Sequence, residues 1–330
     1  MYFLIGISLL FGCFYAVHFG ASLCSAGVWR MTRGRSMAWS GRSRSNFLCG
    51  LKLMPLAIAA TFVLAFVLPA FLVFEPSVPQ ENLSYKVTLI AIISAGGLLA
   101  AVGRIFASWW QTRRLIRSWM KNSSPIAVNG LELPAHRIKH AFPVLAVVGT
   151  FRPRVFVAEK VLAGLEASEL EASVAHEAGH IASRDNLKRI AMRLCSDLLV
   201  VPFAKSLDRE WSDATEAAAD ESVAHKGLAA LDLASALVKI GKLVPEGNNY
   251  RLPAGAYLLE PADNSLAGRV EALVTMSERP SSPAAAASFP PAVLYAGAVL
   301  CVLAVFSLSI NSTVLALVHN VTEKALAALQ

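Results

Sequence analysis

The sequence predicts a multi-pass α-helical membrane protein with a mainly helical α+β domain inserted between its third and fourth transmembrane helices. The chain of 330 residues is 55% hydrophobic and only 16% charged, whereas soluble proteins are about 25% charged. Its mean hydropathy is +0.52. The longest apolar runs fall into four segments, and roughly 170 residues of mixed composition separate the third from the fourth.

The four apolar segments are each long enough to cross about 30 Å of hydrocarbon, which takes roughly 20 residues of helix. We expect these helices at residues 2–29, 53–74, 87–110 and 292–318. The first run lacks the basic start of a secretory signal peptide, because no positive charge precedes Arg30. We therefore expect it to be retained as a membrane helix.

Lysine and arginine near the ends of these helices predict their orientation. Residues 30–52 and 104–121 together hold 11 of the 30 basic residues and no acidic residue. We therefore expect 30–52 to be a cytoplasmic loop, the domain at 112–279 to lie on the same side, and the tail 319–330 to be external. Elsewhere acidic residues outnumber basic ones, so the net charge of +7 favours anionic lipid over nucleic acid as a partner.

The domain at 112–279 combines strands with helices, and a linker rich in proline, serine and alanine at 280–291 joins it to the fourth helix. Pro143–Val148 and Arg154–Ala158 are rich in valine and bordered by turn residues, which is typical of short strands. The residues from Ser168 to Glu171 fit a capping box that begins a helix.

That helix contains His176-Glu177-Ala178-Gly179-His180, which matches the pattern H-E-x-x-H. Residues four apart share a helix face, so His176 and His180 are placed to bind one tetrahedral zinc ion. Glu177 is then placed beside the water-binding position, where a glutamate acts as general base. The pattern predicts a catalytic site with one zinc ion per chain.

A catalytic zinc site needs a third protein ligand and keeps its fourth position for water. Glu216 and Asp220 lie four apart on a helix expected from Glu210 to His225. We expect Glu216 to bind zinc and Asp220 to accept the outer N–H of a ligand histidine, which orients the ring. Alone, these carboxylates would rather indicate a solvated acidic helix face, and the neighbouring H-E-x-x-H reverses that interpretation in favour of the metal site.

Three further residues are interpreted more simply. His136 and His140 are also four apart, but Arg137 and Lys139 would repel a cation, so we expect ordinary surface histidines. Gly179 costs helix stability relative to alanine. It indicates close approach of a neighbouring element or of substrate, or a packing role.

Together these residues resemble the membrane-embedded gluzincin peptidases of the beta-lactam-sensor type, the penicillinase and methicillin-resistance receptor proteins. They are more distantly similar to the heat-shock membrane protease HtpX and the CAAX prenyl protease. The segments that carry the resemblance are 151–157, Leu165, 169–171, 176–180, 184–187, 216–220 and 266–273, the last of which includes Arg269.

The resemblance implies a zinc metalloendopeptidase with His176, His180 and Glu216 as ligands and Glu177 as general base. It implies a bacterial inner-membrane location with the peptidase domain on the cytoplasmic side. A protein or peptide would be the substrate, with a transcriptional repressor or a membrane protein as candidates. The receptors carry an external penicillin-binding domain after the fourth helix, which residues 319–330 do not supply, so direct sensing of beta-lactams by these residues is not implied.

Two other functions fit part of the pattern. One is a non-catalytic membrane signalling or scaffold protein that retains the metallopeptidase fold, although Glu177 would then have no use, because a structural zinc site needs no base. The other is a transporter, since His18 and Arg104 lie in or near predicted spans. A complete zinc motif in a domain of this size argues against a transporter.

Overall fold

The computed structural model describes residues 2–75, 85–128, 134–198, 204–225, 229–244, 265–278 and 291–329. Its N-terminal helices are α1 (Tyr2–Ser36), α2 (Gly41–Phe62), α3 (Leu68–Phe74) and α4 (Tyr85–Lys121). The helices of the folded domain are α5 (Glu159–Gly164), α6 (Ala167–Ala182), α7 (Asp185–Leu198), α8 (Ala204–His225), α9 (Ala230–Leu243) and α10 (Ser265–Glu278). The last two helices are α11 (Pro291–Ser309) and α12 (Ser312–Leu329).

Among the described residues, three helices are long and apolar enough to cross a membrane: Gly6–Ser36, Gly41–Phe74 and Ile92–Lys121. The second of them combines α2 and α3 through a π-helical turn at Val63–Val67. This change in hydrogen-bond register just before Pro69 lets the helix continue past a residue that has no backbone N–H. The three helices indicate a membrane protein.

Residues 30–52, expected to be a loop, are helical except for a turn at 37–40. α1 continues to Ser36 and α2 begins at Gly41, where the Ser40 hydroxyl accepts a hydrogen bond from the Ser43 N–H. α4 likewise continues past residue 110 to Lys121. An apolar run marks only the part of a helix that lies in hydrocarbon, whereas basic residues extend the same helix into water.

The predicted helix 292–318 is divided at Ile310 and Asn311, where α11 and α12 meet at a bend of 75°. The Asn311 side chain accepts hydrogen bonds from the backbone N–H groups of Thr313 and Val314, and so caps a new helix. The expected tail is therefore part of α12. The α11–α12 pair is a fourth membrane segment if the bent pair counts as one span.

The folded domain contains a four-stranded sheet of β1 (Ser123–Ile126), β2 (Ala135–Ile138), β3 (Leu145–Val148) and β4 (Arg154–Ala158), in the order β1-β2-β4-β3. β2 and β4 are parallel, and the other two pairs are antiparallel. β3 and β4 fall within the predicted strands. Both are almost fully buried, in a core that includes Trp119 of α4 and Val174 of α6.

The capping box of α6 is formed by Glu166 and Glu169 and not by Ser168 and Glu171. The Glu169 carboxylate accepts the Glu166 N–H at 2.8 Å and also binds Ser235 and Lys239 of α9. Ser168 already lies inside the first turn, so it cannot serve as the cap. The start of α6 is thereby fixed to α9.

The end of α1 and the start of α2, residues 29–52, form a helical elbow that packs against α7 and α8. Its apolar contacts join Trp29, Leu48 and Leu51 to Met192, Leu207 and Trp211. Arg33 and Arg44 both pair with Glu210, and Lys52 pairs with Asp208. The α1–α2 helix pair is thus attached directly to α8.

Candidate active site

His176, Glu177 and His180 lie together on the buried side of α6. Their exposed fractions are 1%, 0% and 3%. The two imidazoles meet edge to face, and their Nε2 atoms are 3.1 Å apart. The helical spacing therefore directs both nitrogens at one point, as the motif predicts.

Glu216 of α8 supplies a carboxylate to the same point. Its Oε2 lies 3.5 Å from Nε2 of His176, and its Oε1 lies 3.8 Å from Nε2 of His180. One ligand atom from each of the three residues lies within 4.8 Å of the other two. Two ligands held by a tetrahedral zinc ion at about 2.0–2.1 Å are roughly 3.4 Å apart, so this donor set fits such an ion.

Each histidine is oriented from behind by a carboxylate. Nδ1 of His176 lies 2.9 Å from Oδ1 of Asp220, and Nδ1 of His180 lies 2.8 Å from Oδ2 of Asp185. A carboxylate at Nδ1 leaves Nε2 to face the metal position. Asp220 lies beside a ligand histidine, where we expect it, whereas the contact of Asp185 with His180 was not predicted from the sequence.

Asp185 reaches His180 because the chain reverses immediately after α6. Arg184 has φ of +54°, a left-handed conformation that is uncommon for a residue with a side chain. The next residues then turn back toward the helix, and the Asn186 amide donates to the carbonyls of Val147 and Gly149. The same turn therefore connects the motif helix to the β3–β4 hairpin.

Arg269 of α10 is the second partner that the sequence did not assign. Its Nη1 lies 2.7 Å from Oε2 of Glu216, while Nε and Nη2 donate to the two Asp220 oxygens at 2.9 and 2.7 Å. The side chain is only 12% exposed. One guanidinium therefore binds the carboxylates of both Glu216 and Asp220.

Two carboxylates of the site, those of Glu216 and Asp220, are held in the ionised form, which suits a cation. Burial alone would raise the pKa of Glu216, but the Arg269 charge and a hydrogen bond with His176 lower it to about 2. Burial likewise opposes ionisation of Asp220, yet its bonds to His176 and Arg269 hold its pKa below the usual range. Burial lowers the pKa of His176, and hydrogen bonds with Asp220 and Glu216 outweigh it and raise that pKa to about 9.

Glu177 differs from the other acidic residues of the site. Neither of its carboxylate oxygens has a hydrogen-bond partner among the described residues, although both are buried. Burial raises its pKa, and the charges of His180 and His176 oppose that rise only in part. A carboxylate in this environment suits the gain and loss of a proton.

Gly179 is placed where α6 and α8 touch. A Cβ at this position would lie 2.7 Å from Oγ of Ser222 and 3.3 Å from Cα of Ala219. Of the three interpretations of this glycine, the structure supports close approach of a neighbouring element, and that element is the helix that carries Glu216.

His136 and His140 are packed side chains and not free surface histidines. The His136 ring stacks on Phe156, and the His140 ring meets the edge of Trp119. Residues 280–290 of the predicted linker lie outside the described residues.

Two histidines one helical turn apart, a glutamate between them and a third carboxylate from a following helix are the features of a zincin-type metallopeptidase site. Residues 138–245 match the family model of peptidase family M48, which supports this class and implies metalloprotease activity. The match includes α6 and α8, whereas Arg269 lies beyond it. No curated protein matches the chain.

Proposed function

We propose that this protein is an integral-membrane zinc metalloendopeptidase that hydrolyses peptide bonds of a protein substrate in regulatory or quality-control proteolysis. The observation that carries the proposal is the convergence of His176, His180 and Glu216 beside the buried carboxylate of Glu177. The three helices long enough to cross a membrane support the membrane assignment.

His176 and His180 through Nε2, and Glu216 through a carboxylate oxygen, would hold the zinc ion. A zinc ion bound there would supply Lewis-acid chemistry, acidifying water and polarising a carbonyl. Glu177 would accept the proton of the attacking water at a carboxylate oxygen and return it to the leaving amine. Asp220, Asp185 and Arg269 would keep the ligands in place during this exchange.

The sheet limits where an extended substrate is able to bind. β4 is paired on both edges, which leaves β3 as the edge strand beside α6. The residues of β3 are buried, and the Asn186 amide already donates to the carbonyl of Val147. Substrate addition to this strand would therefore require the Asn186 contact to open, which favours an enzyme that is controlled by a signal or partner.

The finer features of the proposal rest on the sequence. The basic residues of 30–52 and 104–121 favour a cytoplasmic peptidase domain. The resemblance to the beta-lactam-sensor receptors favours the bacterial inner membrane. The resemblance to the beta-lactam-sensor receptors favours a transcriptional repressor or a membrane protein as substrate. The lipid bilayer is the expected environment of the four apolar segments, and no direct contact with nucleic acid is proposed.

The proposal is tested by the full chain purified in detergent with an unstructured protein as substrate. We expect about one zinc ion at the proposed site and cleavage that a chelator abolishes. Glu177→Gln should keep that zinc and lower turnover by roughly 100-fold or more, the range for general acid–base catalysis. Glu171→Gln, on the same helix and away from the ligands, is the matched control. Full turnover by Glu177→Gln would remove Glu177 from the mechanism.

The second candidate is the non-catalytic signalling or scaffold protein. The Asn186 contact with β3 and the deep burial of Glu177 favour it, because both would restrict access of a substrate to the site. Zinc bound by the wild-type chain without cleavage of any protein, including membrane-reconstituted candidates, would support this function over the peptidase.

A further inference from the structure

A second group of metal-ligating side chains lies at the junction of α3 and α12. It consists of Glu75, His319 and Glu323, and one ligand atom from each lies within 4.8 Å of the other two. All three residues are half-buried. The sequence gives no sign of this group, because 244 positions separate Glu75 from His319.

The backbone holds these three donors in place. His319 and Glu323 are four apart on α12 and so share one of its faces. Glu75 is the C-cap residue of α3, where its N–H donates to the carbonyl of Phe71. The His319 ring stacks on Phe74 at 5.7 Å between centroids, which restricts its rotation.

The donor types suit a divalent transition-metal ion. Two carboxylates and one imidazole form a mixed oxygen and nitrogen set of the kind that binds Zn²⁺ and neighbouring first-row ions. A cation bound between the two carboxylates would be attracted by both of their charges. The histidine adds a ligand that alkali and alkaline-earth ions do not require.

We propose that Glu75, His319 and Glu323 form a second site for a divalent transition-metal ion, separate from the peptidase site. The helix Gly41–Phe74 has 34 residues, and a helix of that length is about 50 Å long. Gly41 contacts α8 beside Glu216, whereas Glu75 follows the other end of this helix. The orientation predicted from the basic residues places the second site on the external side.

The ion would join the end of α3 to the C-terminal helix. α12 already packs there, because Val318 lies against the buried side chains of Val67 and Phe71. The three ligand residues are only half-buried, so the ion should exchange with the medium. The second site therefore offers a way for external metal to fix α12 against α3.

The experiment uses the full chain, purified through a tag without histidine, with both peptidase histidines replaced. His176→Ala/His180→Ala removes the first site, so any remaining stoichiometric metal reports on the second. After dialysis against a fixed free Zn²⁺ concentration, we expect about one zinc per chain in this variant. Adding His319→Ala should reduce that value at least 10-fold, and Asn320→Ala, an exposed neighbour on α12, should leave it unchanged.

Glu323→Gln is a second test that keeps side-chain size and so protects against misfolding. It should also weaken Zn²⁺ binding, and Co²⁺ at the site should show an absorption spectrum that His319→Ala abolishes. Failure of the His176→Ala/His180→Ala variant to bind Zn²⁺ overturns the proposal, as does binding that survives both His319→Ala and Glu323→Gln. Because the peptidase site is absent throughout, these outcomes are independent of cleavage activity.

Discussion

The two metal-ligating groups lie in different parts of the molecule. The first consists of His176, His180 and Glu216 in the folded domain, and the second consists of Glu75, His319 and Glu323 where α3 ends beside α12. Both groups take two ligands from one helix at a spacing of four and a third from another helix. Behind the first group lie Asp220, Asp185 and Arg269, which bind its ligands at 2.7 to 2.9 Å. In the second group, the His319 ring stacks on Phe74.

The comparison distinguishes bringing metal-ligating atoms together from holding them in a fixed orientation. A spacing of four on a helix is sufficient to bring donors together, but it does not fix the tautomer of a histidine or the position of a carboxylate. Such outer contacts change metal affinity by about 10- to 100-fold. We therefore expect the first group, which is more deeply buried and has these outer contacts, to hold its ion more tightly than the half-buried second group.

Removal of one carboxylate ligand from each group should have the largest effect. Glu216→Ala should lose most of the zinc of the first group and all measurable cleavage, because two histidines alone bind weakly. Glu323→Ala should leave cleavage unchanged. Metal analysis and cleavage rates measured at one free Zn²⁺ concentration compare the two. Unchanged zinc content in Glu216→Ala would mean that the third ligand is another residue.

Arg269→Met tests the support of the first group. It leaves Glu216 and Asp220 buried without their cationic partner, which costs about 3–5 kcal/mol of stability. Arg269→Lys keeps the charge but not the planar fork, so an intermediate loss is expected. Thermal unfolding measures both, with Arg209→Met, an exposed arginine of α8, as control. Equal melting temperatures for Arg269→Met and the control would show that the guanidinium does not stabilise the site.

Asp185→Asn removes the charge behind His180 without changing the shape of the side chain. We expect zinc affinity to fall by about 10- to 100-fold, the range for such outer contacts. Asp213→Asn, an exposed residue of α8, should have no effect. Competition with a chelator of known affinity gives the measurement. An unaltered affinity would weaken the distinction between the two metal-ligating groups.

Gly41→Ala tests whether the elbow helps to position Glu216. A Cβ there would lie 2.8 Å from the carbonyl carbon of Ala217, and that backbone cannot rotate away. Overpacking of this kind costs about 1–3 kcal/mol, and zinc affinity should fall although Gly41 touches no ligand. Gly50→Ala, in the same helix with open space around it, is the matched control. If both variants retain wild-type affinity, the elbow does not act on the site.

The N-terminal caps of α6 and α12, the helices that each carry two of the proposed ligands, differ in their response to pH. Burial raises the pKa of Glu169, but bonds from Lys239, Ser235 and the Glu166 N–H hold it below the usual range. A lowered pKa contributes stability above the unfolded value of about 4.3, and this is lost as pH falls through the folded value. The amide of Asn311 does not titrate.

We therefore expect Glu169→Gln to lower the melting temperature at pH 7, with a difference from wild type that shrinks below about pH 4. The loss of one such hydrogen-bonded group costs about 0.5–1.5 kcal/mol or somewhat more for a charged acceptor. Asn311→Ala should destabilise α12 equally at both pH values. A constant difference for Glu169→Gln would show that its charge is not the stabilising feature.

The sequence predicts those features that depend on local spacing. The pairs His176 with His180 and Glu216 with Asp220 each lie one turn apart on a helix, so their joint orientation follows from the helical repeat. The match of β3 and β4 to valine-rich runs has the same origin. In each case the residues that decide the outcome are neighbours in the chain.

The contacts that Asp185 and Arg269 make with the site cannot be predicted from residue spacing along a helix. Asp185 reaches His180 only because Arg184 adopts a left-handed backbone, and Arg269 approaches from a helix 49 residues after Asp220. The division of the last apolar segment depends on Asn311 capping α12, which a count of apolar residues cannot detect. These contacts follow from tertiary packing.

The close contact of Gly41 with α8 has a practical consequence for fragment design. The Gly41 N–H donates to the Glu221 carboxylate at 2.9 Å, so one helix, about 10 Å thick, separates the elbow from the metal-ligating residues. A soluble fragment that starts after α4 would keep all three ligands of the first group and expose the opposite side of the helix that supplies one of them. The smallest unit suited to expression or inhibitor screening therefore begins within α1, although the peptidase match begins at residue 138.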